Sequence, residues 1–289
     1  MGNGVQKLAN IRYDTLNGEK IKEDMEMNLL LEGKSVVVTG ASQGLGKAIA
    51  TEFAREGAHV FISSRSEEKL QQAQANIREI TGNKHVYYVS CDMNKEEHIK
   101  NLIQKVVEKN GTVDVLINNA GGPPAGKFLD MTDENWYQAF EQNLLSAVRA
   151  TRQVIPYMKQ NGAGRIVNIT SSSIKQSIDN LILSNSIRPG VLGLTKSLSQ
   201  EFATDNILVN TVGPGKIATD RMNELMEATS KTQGKTMEEV EKATVADIPI
   251  GRLGKPEEFA KAVVFLASFA NTYITGQQLI VDGASVKAL

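Results

Sequence analysis

Cysteine is almost missing. Cys91 is the only one in 289 residues, so no disulfide can form within the chain, and a reducing compartment fits. Net charge is almost missing too. The 32 basic and 33 acidic residues leave −1 at pH 7, which gives no electrostatic reason to expect nucleic acid or an anionic membrane as a partner. No apolar run reaches the roughly 20 residues that span a bilayer. The N-terminus lacks the apolar core of a signal peptide. It opens on Met1 and Gly2, but Gln6 stands where a myristoylation signal needs Ser or Thr. Together these absences point to a cytoplasmic protein whose partner is a small molecule, and no metal site is expected.

What is there is a regular alternation. Residues 1–30 are polar and weakly patterned, and read as an N-terminal extension, either a surface arm or an arm that wraps a neighbouring subunit. From residue 31 to 289, β-type runs alternate with helical patterns and no linker or repeat intervenes. The expected strands are Ser35–Thr39, His59–Ser63, Val86–Ser90, Val113–Asn118, Arg165–Thr170, Ile207–Val212 and Gln278–Val281. Helical segments between them include Lys47–Glu56, Glu67–Ile80, Glu96–Lys109 and Glu134–Lys159. This order implies βαβ units. Apolar runs such as Val36, Val37, Val38 belong to strands buried on both faces. The expected fold is α/β: one Rossmann domain, a doubly wound seven-stranded parallel sheet flanked by helices.

A glycine loop follows the first strand: Thr39, Gly40, Ala41, Ser42, Gln43, Gly44, Leu45, Gly46. Glycines at this spacing make a tight turn and let the backbone approach a pyrophosphate at a helix N-terminus. A carboxylate ending the second strand would bond the adenosine ribose and repel a 2′-phosphate. Here Ser64 and Arg65 stand there instead, and both can serve a phosphate. NADP(H) is therefore expected over NAD(H).

The run Ser184, Asn185, Ser186, Ile187, Arg188, Pro189, Gly190, Val191, Leu192, Gly193 resembles the catalytic helix of the short-chain dehydrogenase/reductase family. Further matches are Cys91, Asp92, Met93 after the third strand and Asn118, Asn119, Ala120, Gly121 at the end of the fourth. Another is the loop from Pro214 through Gly215 to Thr219. The likeness runs from about Leu31 to Gly283 and is nearest to the 3-oxoacyl-acyl-carrier-protein reductase type. It implies an oxidoreductase that moves hydride between a nicotinamide and a carbonyl or alcohol, with 3-oxoacyl thioesters among the candidate substrates. It also implies that Asp92 and Met93 lie at the adenine, Asn119, Ala120 and Gly121 along its ribose, and Gly215 and Thr219 at the nicotinamide. Asp92 also reads as a cap for the segment that begins at Asn94, and Asn118 reads as a sheet residue rather than a ligand contact. A dimer or tetramer, built on the Leu144–Met158 helix and the last strand, is implied in the same way.

The family's catalytic serine maps to Ser171 and its asparagine to Asn143. Its Tyr-x-x-x-Lys does not map, because Ser184 and Arg188 occupy those places. Serine is shorter and has no acidic phenol. Arginine stays protonated, so it can bond the cofactor ribose but is a poor proton donor. Lys175, four residues after Ser171, reads either as the replacement proton donor or as a solvated loop lysine. Pro189 is tolerated only in a first turn, so the helix is expected to start near Ser184 or Ser186. Gly121–Gly126 is expected to shape a substrate pocket, and Met222–Val245 to form an amphipathic helical insert, which the resemblance implies is a mobile lid. Three functions compete: an NADP(H)-dependent oxidoreductase with a rearranged proton donor, a non-catalytic NADP(H) binder, and a different reaction on the same fold.

Overall fold

The computed structural model describes residues 27–288, so the readings made on residues 1–26 lie outside the described residues. Seven strands form one parallel sheet: β1 (Ser35–Val38), β2 (His59–Ser64), β3 (Val86–Ser90), β4 (Val115–Asn118), β5 (Gly164–Ile169), β6 (Ile207–Pro214) and β7 (Gln278–Val281). Their order is β3-β2-β1-β4-β5-β6-β7. The order reverses between β1 and β4, which opens a crevice beyond their carboxyl ends, where ligands bind in such sheets.

Side chains in a strand alternate between faces, and the inner strands place both sets in apolar surroundings. Val36, Val38, Val60, Ile62, Val115 and Ile117 join one core. Val37, Phe61 and Leu116 join the other. The first core is closed by α1 (Gly44–Arg55), α2 (Glu67–Thr81) and α9 (Pro256–Leu266), through residues such as Phe53, Leu70 and Phe259. The second is closed by α3 (Glu96–Asn110), α5 (Ser146–Gln160) and α6 (Ile182–Glu201), through Ile99, Val154 and Leu198. This is why these strands read as near-continuous apolar runs. Among the described residues, no helix is long and apolar enough to cross a membrane.

A polar chain ties the sheet together beneath the crevice. Asn118 Nδ2 donates to Asn168 Oδ1 at 2.8 Å, Asn168 Nδ2 to Thr195 Oγ1 at 2.9 Å, and Thr195 and Thr211 share a 2.8 Å hydroxyl contact. These groups are buried, so each must find its partner inside the protein.

Two expected elements differ from those observed, and a third is resolved into parts. The segment Glu134–Lys159 is not uniformly α-helical. It divides into α4 (Asp133–Phe140), one π-helical turn (Glu141–Leu145) and α5. The helix α6 starts at Ile182 rather than at Ser184 or Ser186. Its first N–H, that of Ile182, is taken by Gly126 O at 3.4 Å, so a distant loop supplies the cap. Pro189 consequently lies in the helix interior. The helical insert expected over Met222–Val245 is made of two helices, α7 (Asp220–Gln233) and α8 (Met237–Ala246). Gly234 at φ 64° ends the first and a Thr236–Glu239 capping box begins the second.

Candidate active site

The glycine loop is held from below by Asn119. Its Nδ2 donates to Thr39 O at 3.1 Å and to Gly40 O at 3.0 Å, while its N–H bonds Thr39 Oγ1 at 2.9 Å. A Cβ on Gly46 would lie 2.3 Å from Gly40 O, so the turn closes only with glycine there. Gly44 stands at φ 56°, in the left-handed region. Helix α1 then begins with no side-chain cap from Gln43 and no acid in its first turn. By contrast, Ser66, Thr132, Thr219 and Thr236 cap α2, α4, α7 and α8 through their side-chain oxygens. The first N–H groups of α1 are thus left for an anion. That is the fit a dinucleotide pyrophosphate requires, and Gly40, Gln43, Gly44, Leu45 and Gly46 present it to an open cleft of about 290 Å³.

The same cleft is walled by Asn119, Ala120 and Gly121 from the end of β4, and by Gly215 and Thr219 after β6. Ser171, Ser184 and Arg188 close its inner side. Ser184 Oγ lies 3.0 Å from Ser173 Oγ, and Ser171 Oγ accepts the Ser173 N–H at 3.1 Å. The hydrogen of Ser171 Oγ therefore has no partner among the described residues and remains free to be donated into the cleft.

Arg188 is only 6% exposed. Its Nη1 donates to the carbonyls of Ile169 and Thr170 at the end of β5, while its Nε is buried with no partner. Burial, and then the positive charge of Arg221, push its pKa down to about 10. Arg221 is half-exposed and reaches across the cleft to Pro123 O at 3.1 Å. It was not anticipated from the sequence, because the family-like loop was followed only to Thr219. The available signal was a cation in the first turn of a helix, where the dipole favours acids. Ser173 and Asp220 were missed as well; Asp220 lines the cleft, as do Gly121, Gly122 and Pro123 of the loop expected to shape a pocket.

The remaining expected residues lie elsewhere. Asn143 sits in the π-helical turn, donates to Ala139 O at 3.1 Å, and has a buried, unpartnered Oδ1. It lines a separate cavity of about 10 Å³ with Met93 and Asn118, whose Oδ1 is also unpartnered. That is about one water in size, with polar partners to hold it. Ser42, Ser64, Arg65 and Asp92 do not line the 290 Å³ cleft. Ser64 and Arg65 end β2 beside the glycine loop, which Ala41 N ties to Ser63 O at 3.0 Å. Lys69 Nζ bonds Gln43 at 3.2 Å on that side. Asp92 caps a turn through Asn94 N at 3.1 Å, and α3 starts only at Glu96. Lys175 ends the short turn after Ser171 and does not line the cleft. The Ser184 hydroxyl meets the Ser173 hydroxyl, and no described hydrogen bond joins it to the Lys175 ammonium.

A sequence profile described as enoyl-(acyl carrier protein) reductase matches residues 40–284. The chain is 36% identical over 258 residues to the 3-oxoacyl-acyl-carrier-protein reductase FabG of Thermotoga maritima, covering 89% of this chain and 99% of that protein. Among solved structures it is similar to L-sorbose reductase of Gluconobacter frateurii complexed with NADPH and L-sorbose, with TM-score 0.86 and 32% identity over 91% of this chain and all of that one. It is also similar to a variant actinorhodin polyketide ketoreductase with NADPH, with TM-score 0.84 and 36% identity over 88% of this chain and 97% of that one.

Proposed function

The chain belongs to the short-chain dehydrogenase/reductase family of oxidoreductases, and from that premise we propose that it is an NADP(H)-dependent enzyme acting on a carbonyl or alcohol substrate. The observation that carries this reading is the uncapped N-terminus of α1 opening on a cleft whose opposite wall is Ser171, Ser184 and Arg188. The glycine loop would hold the pyrophosphate and Thr219 the nicotinamide end. Asp92 and Met93 belong at the adenine. Ser64 and Arg65 would take the 2′-phosphate, with Ser42 and Lys69 nearby. A bound nicotinamide supplies or accepts the hydride.

The chain's own groups would manage the oxygen. Ser171 donates its free hydroxyl hydrogen to the substrate oxygen. Arg188, still cationic at neutral pH, stabilises negative charge as it develops there. Ser184 takes the position of the missing phenol without its acidity, and so orders Ser173 rather than delivering a proton. Lys175 does not line the cleft, so proton supply falls to water, with Asn143 as the residue that would hold one. Reductases complexed with NADPH among the similar structures support the cofactor choice.

The test is fluorescence titration with NADPH and NADH, followed by NADPH oxidation against 3-oxoacyl thioesters, ketones and quinones. NADPH should bind at least about tenfold more tightly, the scale of one or two charge-assisted phosphate contacts, and Arg65→Ala should remove most of that margin. An NADH preference that survives Arg65→Ala would defeat the cofactor assignment. Tight NADPH binding with no turnover would move the reading to a non-catalytic binder. The exposed Phe128, Leu129, Tyr137 and Phe140 beside α5, and Leu279 on the edge strand β7, support assembly as a homodimer or homotetramer.

A further inference from the structure

Three serine hydroxyls meet at the inner wall of the cleft, and Ser173 touches the other two. Ser173 and Ser184 are buried, and their Oγ atoms lie 3.0 Å apart. Neither hydroxyl bonds any other described residue. The pair owns two hydrogens, and the contact uses one. With Ser184 as donor, the Ser173 hydrogen stays inside the protein without an acceptor, because Ser173 does not line the cleft. A buried donor left unpaired carries its full desolvation penalty. With Ser173 as donor, the spare hydrogen belongs to Ser184, which does line the cleft. A serine side chain has only two heavy atoms, so this hydroxyl lies at that wall or one bond behind it. The second arrangement wins. Ser173 also sets Ser171. Its N–H occupies a lone pair of Ser171 Oγ at 3.1 Å, so the Ser171 hydrogen turns away from the Ser172–Ile174 turn, and Ser171 lines the cleft too. The turn is itself held by the Ile174 N–H on Ser171 O at 3.2 Å and the Lys175 N–H on Ser172 O at 3.0 Å.

We propose that Ser173 is a positioning residue, whose hydroxyl and N–H turn the hydrogens of Ser184 and Ser171 into the cleft as two neutral donors for the substrate oxygen. This rests on the oxidoreductase reading above and deepens it. Negative charge that develops on the oxygen meets two preset hydroxyl dipoles. Ser184 gives a hydrogen bond and keeps its proton, so the source of the transferred proton is unchanged. Without Ser173 Oγ, the Ser184 rotor loses its single protein partner and its hydrogen is no longer aimed.

The experiment reads the hydrogens themselves. Neutron diffraction from ligand-free crystals in D₂O should place the Ser173 deuterium on the line to Ser184 Oγ, and those of Ser184 and Ser171 toward the cleft. A Ser184 deuterium on the line to Ser173, or the two hydroxyls out of contact, would overturn the proposal. Thermal melts give a second reading. Ser184→Ala strands the buried Ser173 donor and should lower the midpoint by about 4 °C or more. Ser173→Ala removes that donor, leaves Ser184 to water in the cleft, and should cost less. The double variant should melt above Ser184→Ala alone. Equal losses from the two single variants would overturn the donor direction. On whichever carbonyl compound proves active, Ser173→Ala should lower kcat about tenfold or more with KM within about threefold, and Ser173→Thr, which restores the hydroxyl, should recover most of it. An unchanged kcat in Ser173→Ala would overturn the positioning role and leave the oxidoreductase reading intact. Failure of the unaltered protein to turn over any carbonyl would overturn that reading, while the neutron map would still decide the hydrogen direction.

Discussion

At the residue scale, chemistry was legible wherever one side chain carries its meaning alone. Ser184 and Arg188 were singled out from the sequence by their resemblance to the family's tyrosine and lysine positions, and both residues do line the cleft. What was not legible is which neighbour answers a substitution. Lys175 lies within reach along the chain, yet a turn over Ser172–Ile174 brings the hydroxyl of Ser173 to Ser184 instead. Contact across a turn depends on backbone direction, which spacing alone does not give. Arg221 escaped for the same reason, being joined to Pro123 only through the fold. Lys175→Met is therefore expected to keep turnover within severalfold of the unaltered protein, measured as NADPH oxidation on whichever substrate proves active. A loss of two or more orders of magnitude, the scale of a missing general acid, would put Lys175 back in the proton path.

At the scale of elements, periodicity located the helices but not their interruptions. The π-helical turn at Glu141–Leu145 contains no proline or glycine to mark it, and its five residues are too few to show a change of period. The start of α6 was placed late because Pro189 was given priority. An interior proline costs about 3 kcal/mol, but a cap supplied by Gly126 O and the paired bonds between Asn185 and Ile178, at 2.9 and 3.1 Å, hold the first turn in place. Gly234 was a readable stop for α7, and the Thr236 to Glu239 spacing a readable start for α8. Helix α9 offers a pH test of the same capping logic. Two bonds from Arg252, at 2.6 and 2.8 Å, and one from the Lys255 N–H pull the Glu258 pKa from 4.5 to about 2. A carboxylate with a depressed folded pKa adds stability above its unfolded pKa and loses it as pH falls through the folded one. Unfolding midpoints should therefore drop between about pH 4.5 and 2 in the unaltered protein, and drop less across that window in Glu258→Gln. Parallel curves for the two proteins would show that the exposed pair contributes nothing to acid stability.

At the scale of the whole molecule, the sheet was the most legible feature, because buried parallel strands must be apolar on both faces and the connecting helices must alternate with them. The strand order, with its crevice at the β1–β4 reversal, came only from the structure, because alternation implies parallel strands without saying which are neighbours. The boundary at residue 30 is the one large-scale reading that depends on where the core begins. Leu31 is 1% exposed within the α1–α9 core, and Leu29 packs against that core with its carbonyl accepting Phe269 N–H at 3.2 Å. Leu29, assigned to the extension, thus packs on the folded body and with Leu31 anchors the start of the domain, while Leu30 between them is exposed. Deleting residues 1–26 should leave the thermal midpoint within about 4 °C, equivalent to roughly 1 kcal/mol for a chain of this size, with NADPH stabilisation retained. Deleting residues 1–31 should cost several kcal/mol, since it removes a fully buried leucine and exposes the surface it covered. Melts of the two truncations with and without NADPH separate the outcomes. A 1–26 deletion that aggregates, or that melts as low as the longer deletion, would make the N-terminal arm part of the fold or of a subunit interface.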